Sequence, residues 1–228
     1  MELIAAGIVR RYLRAAGEGN AFEAVHPANI TLRSGEITVL TGRSGSGKTT
    51  LLTMLAGLLQ PSAGTVALDG QDLYSLPDAA LSRLRARHFA VIPQGASPIS
   101  SLTVMENVLF PAALAGKEPP LQRAQALMER LGILPLRHVF PGQLSGGELR
   151  RMAIARALAA EPDFIFADEP TGDLDDENTA AVLSLLRETA RAGVAILMVT
   201  HEAEAASCAD RLWRMDGGIL RREEPPAP

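Results

Sequence analysis

The sequence predicts an α/β protein: a mostly parallel sheet covered by helices, beside a small antiparallel β layer, with an inserted α-helical lobe. Three observations carry that prediction. Compact apolar runs at Ile37–Leu40, Phe89–Ile92, Phe164–Ala167 and Val194–Val199 have the length of strands buried on both faces. Helical segments alternate with these runs, the pattern of strand–crossover–strand units. From Gly95 to Ala160 the β character vanishes, and Pro, Ser and helix-start signals replace it.

Along the chain, Glu2–Val9 and Asn29–Leu32 read as strands joined by a connection containing Gly17-Glu18-Gly19-Asn20. A further strand, Thr65–Leu68, ends at the turn pair Asp69-Gly70. These short strands make the antiparallel layer. Asp78–Arg87 reads as a helix, and Phe89–Ile92 as a buried strand closed by Pro93-Gln94. Thr103-Val104-Met105-Glu106 has capping-box spacing and starts the first helix of the lobe. A second follows Pro119-Pro120 and stops at Gly132; a third runs from Ser145 to about Ala160. After Phe164–Ala167, the amphipathic helix Asp176–Arg191 ends at Gly193 and leads into Val194–Val199. Arg211–Met215 and Ile219–Arg222 flank Asp216-Gly217-Gly218 as a hairpin, in which Trp213 is expected to pack. The tail Glu224–Pro228 is Pro-rich and expected to fray.

Bulk properties bound the function. The chain has 228 residues, 47% of them hydrophobic, which suffices for one large core and argues against disorder. A net charge of −4 gives no support to a general nucleic-acid binder. The single cysteine, Cys208, excludes an internal disulfide and a cysteine-rich zinc site. No apolar run approaches the ~20 residues that span a bilayer, and no signal segment is visible. The expectation is a soluble, cytoplasmic protein whose membrane role, if it has one, needs a separate partner. His26, His88 and His138 lack metal-ligand spacing and read as structural. Arg83, Arg85, Arg87 and the pair Arg150-Arg151 read as helix-face ion pairs.

The chemistry begins at Gly42-Arg43-Ser44-Gly45-Ser46-Gly47-Lys48-Thr49, which reads G-x-x-x-x-G-K-[ST] between a strand and a helix. This is the phosphate-binding loop of nucleotide-hydrolysing proteins. Its glycines let backbone N–H groups point inward, and the following helix, from Lys48 through KTTLLTMLAGLL, adds positive dipole at its start. Lys48 is expected to neutralise the β- and γ-phosphates, and the Thr49 hydroxyl, next to Thr50, to hold Mg²⁺. Phe164–Asp168 runs four apolar residues into an acid at a strand end, where Asp168 can hold the Mg²⁺ water shell. Glu169, one residue on, is the candidate for polarising an attacking water. Leu144-Ser145-Gly146-Gly147-Glu148 is a second anion site, a hydroxyl with glycine N–H groups at a helix start.

With these three motifs in this order, the chain resembles the ATP-binding cassette (ABC) family, whose signature is L-S-G-G-Q. The resemblance covers nearly the whole chain. It implies a P-loop NTPase fold with a RecA-like core at 1–94 and 161–222, an inserted lobe at 95–160, and a disordered tail at 223–228. It implies that Gln94 reaches the Mg²⁺ and couples the lobe to nucleotide. It also implies that His201 contacts the γ-phosphate, that Gly172-Asp173-Leu174-Asp175 forms a dimer-contact loop, and that Tyr12 stacks on adenine, with Phe22 as a competing aromatic. Ser145, Gly146 and Gly147 would face the γ-phosphate held by another subunit, so ATP would join two copies head to tail.

Two departures stand out. Glu148 replaces the final Gln of the signature, a change expected at a solvated contact rather than in the phosphate cradle. The segment Gly95–Thr103 is small and polar, and is expected to line the groove that docks a membrane partner. The implied function is an ATPase subunit that dimerises around two ATP·Mg²⁺ to drive a separate polytopic permease, peripheral on the inner face of the membrane. The run Ala167–Asp175 is similar to the subfamily serving lipoprotein-releasing, macrolide-export and cell-division permeases. The alternatives are a non-transport ABC ATPase on DNA or ribosomes, or one driving a cell-division or signalling membrane partner. A kinase using the same loop would leave Leu144–Glu148, Asp173 and His201 without roles.

Overall fold

The structure, a computed structural model, describes residues 1–13, 21–201 and 206–224. Two long antiparallel strands come first, β1 (Glu2–Leu13) and β2 (Ala21–Arg33). Both outrun the expected Glu2–Val9 and Asn29–Leu32. Their distal halves are held by cross-strand pairs such as Arg11–Glu23 at 2.8 Å, which a hydrophobic pattern does not flag. The expected Gly17–Asn20 connection lies outside the described residues.

β3 (Ile37–Thr41) leads to α1 (Lys48–Leu55), which is shorter than expected because Gly57 takes a left-handed φ of 69° just past its end. β4 (Ala63–Leu68) turns through Asp69 and Gly70, at φ 46° and 87°, into the two-residue β5 (Gln71–Asp72). Two successive positive φ values are what a tight hairpin turn requires. Next come α2 (Asp78–His88), β6 (Phe89–Ile92), α3 (Val104–Leu114), α4 (Leu121–Arg130) and α5 (Gly146–Ala159). The chain closes with β7 (Phe164–Asp168), α6 (Asp176–Arg191), β8 (Ala195–Val199), β9 (Arg211–Asp216) and β10 (Ile219–Glu223). β10 pairs Glu223 with Leu212, so the expected start of the tail at 223 falls inside a strand.

The strands form two sheets. The first has the order β2-β1-β4-β5 and is antiparallel; the second has the order β10-β9-β3-β8-β7-β6 and is parallel except for the β9–β10 hairpin. Side chains alternate across a strand, so each central strand of the second sheet feeds two cores. Ile165, Ala167, Ile196 and Met198 face a core shared with α3, α4, α5 and α6. Phe164, Phe166, Leu197 and Val199 face a second core shared with the antiparallel sheet, α1 and α2. The helical segment therefore has no core of its own; it covers one face of the parallel sheet. Trp213, half-buried on β9, packs against the second of these cores and so reaches beyond its own hairpin.

The helix starts follow the local signals. Thr103 caps α3 and Ser145 caps α5, each with a reciprocal Glu three residues on, and Gly132 lies beyond α4 at φ 65°. Asn107 is fully buried and was not flagged by sequence. It accepts from the Ile99 N–H at 2.8 Å and donates to the carbonyls of Ile99, Leu102 and Thr103 at 3.0, 2.9 and 3.0 Å. It thereby freezes a loop that has no ladder of its own. Asn107→Leu is expected to orphan these groups and lower stability by about 2–4 kcal/mol, read from urea denaturation midpoints. An unchanged midpoint would mean the loop does not depend on it.

Candidate functional site

β3, β6, β7 and β8 run parallel, so their C-terminal ends lie on one edge of the sheet. Four loops converge there: 42–47 after β3, 93–97 after β6, 169–175 after β7, and 200–201 after β8. Ligands of open α/β sheets bind in this crevice. A cleft of about 940 Å³ opens at that edge, room enough for a nucleoside triphosphate. Of the predicted residues, Tyr12, Gly42, Arg43, Ser44, Gly45, Gly47, Lys48, Thr49, Thr50, Gln94, Asp168, Glu169 and His201 line it.

The loop is held from behind. Gly218 N–H donates to the Ser46 carbonyl at 3.0 Å, and His26 N–H to the Gly218 carbonyl at 2.9 Å. Gly42 and Gly47 have φ of 148° and 102°, and a Cβ on them would lie 2.1 Å from the Met215 carbonyl and 2.2 Å from the Ala24 carbonyl. Tertiary neighbours, as well as the turn itself, therefore demand these glycines. Ser46 departs from expectation: its side chain is buried under the loop, with Oγ unpartnered, and does not line the cleft. The α1 N-terminus has no side-chain cap and no acid in its first turn, which leaves its N–H groups turned to the cleft for an anion. Lys48 Nζ donates to the carbonyls of Gly42 at 2.8 Å and Arg43 at 2.9 Å, leaving one of its three protons for another acceptor.

Across the cleft, the Thr49 hydroxyl donates to Asp168 Oδ2 at 2.7 Å. Burial at the strand end pushes the Asp168 carboxyl above its usual range; the Thr49 bond works the other way, the Glu169 charge adds to the rise, and Lys48 and Arg150 oppose it. Thr49 and Asp168 bring two oxygens together, and the Gln94 amide lines the same cleft, so the donor set suits a hard divalent cation such as Mg²⁺.

Glu169 sits at φ 50°, a left-handed conformation that costs a non-glycine residue roughly 1–3 kcal/mol. Its N–H is bonded to the Val199 carbonyl at 2.8 Å, which holds it in place. The turn separates the two acids. Glu169 Oε1 lies 2.9 Å from His201 Nδ1, while Oε2 is buried without a hydrogen-bond partner. That orphaned acceptor, in a side chain 14% exposed, is a seat for a donor arriving in the cleft.

Tyr12 and Phe22, alternatives in the sequence, are cross-strand partners. Both line the cleft and stack with centroids 5.8 Å apart at 29°, with the Arg10 guanidinium 4.8 Å from the Tyr12 ring centre.

Ser145, Gly146, Gly147 and Asp173 do not line this cleft. Gly147 abuts the Asp173 backbone, where an added Cβ would be 3.5 Å from the carbonyl, so the start of α5 and the loop after Glu169 form one surface. Glu148 corrects the expectation of a merely solvated contact. Its Oε2 accepts from Ser145 N–H at 2.7 Å and Ser145 Oγ at 2.8 Å, so it engages the cradle hydroxyl directly and its carboxyl is held below the usual range.

The arginines also differ from the expected ion pairs. Arg85 donates to the Gly57 carbonyl at 2.7 Å and to Ser82 Oγ at 3.0 Å. Arg150 is 3% exposed and donates to the carbonyls of Pro93 and Gln94. Helical spacing holds the clue: Ala153, Ile154 and Ala157, three, four and seven positions on, are all buried on the same stripe. His26 pairs with Glu23 at 3.0 Å and His88 with Asp163 at 2.6 Å.

A parallel sheet with a glycine loop at its C-terminal edge, a helix start beyond it and acids at a neighbouring strand end defines a phosphate-loop α/β cassette. The sequence pattern of ABC transporters matches residues 25–172, and the chain belongs to that family. It is 40% identical over 219 residues to the macrolide export ATP-binding/permease protein MacB 2 of Aeromonas hydrophila, covering 95% of this chain and 33% of that protein. The chain thus spans about a third of that relative's length. It is also 40% identical over 205 residues to the lipoprotein-releasing system ATP-binding protein LolD of Shewanella denitrificans, covering 89% of this chain and 88% of that one. Among solved structures, the dimeric post-hydrolysis state of the ATP-binding cassette MJ0796 bound to ADP and Pi aligns with a TM-score of 0.91 at 29% identity, over 99% of both chains.

Proposed function

We propose that this chain is the ATP-hydrolysing subunit of an ABC transport system, closing as a dimer around two ATP molecules to drive a separate membrane permease. The observation that carries this reading is the separation of two anion sites within one chain. The glycine loop lines the cleft; Ser145, Gly146 and Gly147 lie outside it, beside the Asp173 loop. A second copy, packed head to tail, brings each cradle to the other's triphosphate. The dimeric form of MJ0796, an ABC cassette of the same fold, supports this arrangement.

In each site the loop N–H groups and Lys48 bind the phosphates, Tyr12 and Phe22 flank the base, and His201 reaches the γ-phosphate. Mg²⁺, held by Thr49, Asp168 and Gln94, would supply neutralisation of charge on the β- and γ-oxygens. Glu169 orients a water through its free Oε2 and draws on its proton. The water oxygen then bonds to the γ-phosphorus while the bond to the β–γ bridging oxygen breaks, giving ADP and phosphate. His201, against Oε1, keeps the carboxylate aimed.

The permease docks beside Gly95–Thr103. A second groove of about 280 Å³ lies next to this segment, lined by Phe89, Pro111 and Arg156 and rimmed by Leu58 and Leu114, which are 53% and 64% exposed. Among the described residues no helix is long and apolar enough to cross a membrane. Membrane association, on the inner face, then comes through the permease. The relatives named for lipoprotein release and macrolide export make those cargo classes the first to test.

Ser145→Arg tests the head-to-tail dimer. It is expected to abolish ATP-dependent dimerisation on sizing columns while leaving the monomer's affinity for a fluorescent ATP analogue within about twofold, because the side chain lies outside its own cleft. A variant that still dimerises with ATP sinks the model.

A further inference from the structure

α5 starts at the Ser145 cradle and carries two arginines back toward the segment that follows β6. Arg150 donates to the carbonyls of Pro93, at 2.6 Å, and Gln94. Arg156, a turn and a half further along, donates to the carbonyls of Ala96 at 3.0 Å and Ser97 at 2.9 Å. Residues 93–97 belong to no helix or strand, so these carbonyls have no ladder partners, and Ser97 is bent to φ 41°. Two guanidinium forks supply what regular structure does not. Burial pushes both arginines below their ordinary values, which marks the bonds as charge-assisted and poorly screened.

The clamp touches three functional places at once. Gln94 lines the nucleotide cleft. Arg156 lines the second groove. The start of α5 abuts the Asp173 loop at Gly147, outside the cleft. Rigid elements with fixed contacts transmit displacement because packed interfaces do not deform continuously.

We propose that Arg150 and Arg156 are positioning residues that lock α5 to residues 93–97, so that closure of one subunit's triphosphate on the other's Ser145 resets Gln94 in that second subunit's own cleft. The clamp makes the two ATP sites of the dimer cooperative. This rests on the head-to-tail reading above.

The test uses the full chain and steady-state ATP hydrolysis, with nucleotide affinity measured separately by a fluorescent ATP analogue. With two coupled sites, the wild-type Hill coefficient is expected near about 2, and Arg156→Met should bring it to about 1 with analogue affinity within about twofold. Arg150→Met, removing the other half of the clamp, should do the same. Circular dichroism selects the folded variants for comparison. A folded Arg156→Met or Arg150→Met that keeps the wild-type Hill coefficient overturns the proposal. So does a loss of analogue affinity parallel to the loss of activity, which marks ordinary damage to the cleft. Glu169→Gln with both arginines intact separates the two ideas. If it forms an ATP dimer, the head-to-tail reading stands and the Hill coefficients judge the clamp alone; if it forms none, that reading fails first.

Discussion

Glu169→Gln is expected to leave ATP binding within about twofold while lowering turnover by roughly 10²–10⁴-fold, the range for losing a positioned base. The substitution is nearly isosteric. It keeps the backbone bond from residue 169 to the Val199 carbonyl and leaves an oxygen or N–H to face His201. What it removes is the negative charge and basicity at the buried, unpartnered Oε2. A neutral amide next to the incoming γ-phosphate also eases charge repulsion, so the ATP-bound dimer should accumulate on a sizing column instead of turning over. Rapid-quench phosphate release and sizing in the presence of ATP measure the two halves. Undiminished turnover would strip Glu169 of its assignment.

Gly47→Ala should have the larger structural effect. The position has φ 102°, and an added methyl would lie 2.2 Å from the Ala24 carbonyl, a backbone atom of β2 that cannot swing aside. Either β2 or the loop must move. We expect a stability loss of about 3 kcal/mol or more, in the range of strained backbone and overpacked sites. ATP affinity should fall at least about 100-fold, because the N–H groups of the loop would no longer converge. Gly45→Ala is the internal control. At φ 75° with nothing within 4 Å of the new methyl, it should cost only about 1–2 kcal/mol of left-handed strain. Urea melts and nucleotide titration on the pair decide the matter. Equal behaviour of the two variants would mean that β2 does not hold the loop.

Local motifs were legible because their causes are local. The phosphate loop, the Phe164–Asp168 strand end and the two capping boxes each depend on residues within a few positions of one another, and all four stand where the spacing predicted. The apolar runs were equally clear, since strands buried on both faces require an unbroken apolar stretch. The antiparallel layer was under-read. Charged pairs such as Arg11–Glu23 continue its strands past the last apolar residue. The arginines of α5 were misread for a related reason. A charged pair on a helix suggests a wet face, yet Arg150 lies on the buried stripe because loop carbonyls without ladder partners meet it there.

The sequence by itself determined the class of chemistry: a loop whose glycines and lysine suit a triphosphate, acids at a strand end, and a second anion site at another helix start. Only the tertiary structure decided how these parts are set. It turned Glu169 away from Asp168 through a left-handed backbone, paired Tyr12 with Phe22, and backed Gly42 and Gly47 with Met215 and Ala24. It also left the cradle at Ser145 outside the chain's own cleft. The reason is range. A motif records what neighbouring residues can do, whereas the aim of a carboxylate or the partner of a buried guanidinium depends on segments that meet only when the sheet has brought them to one edge.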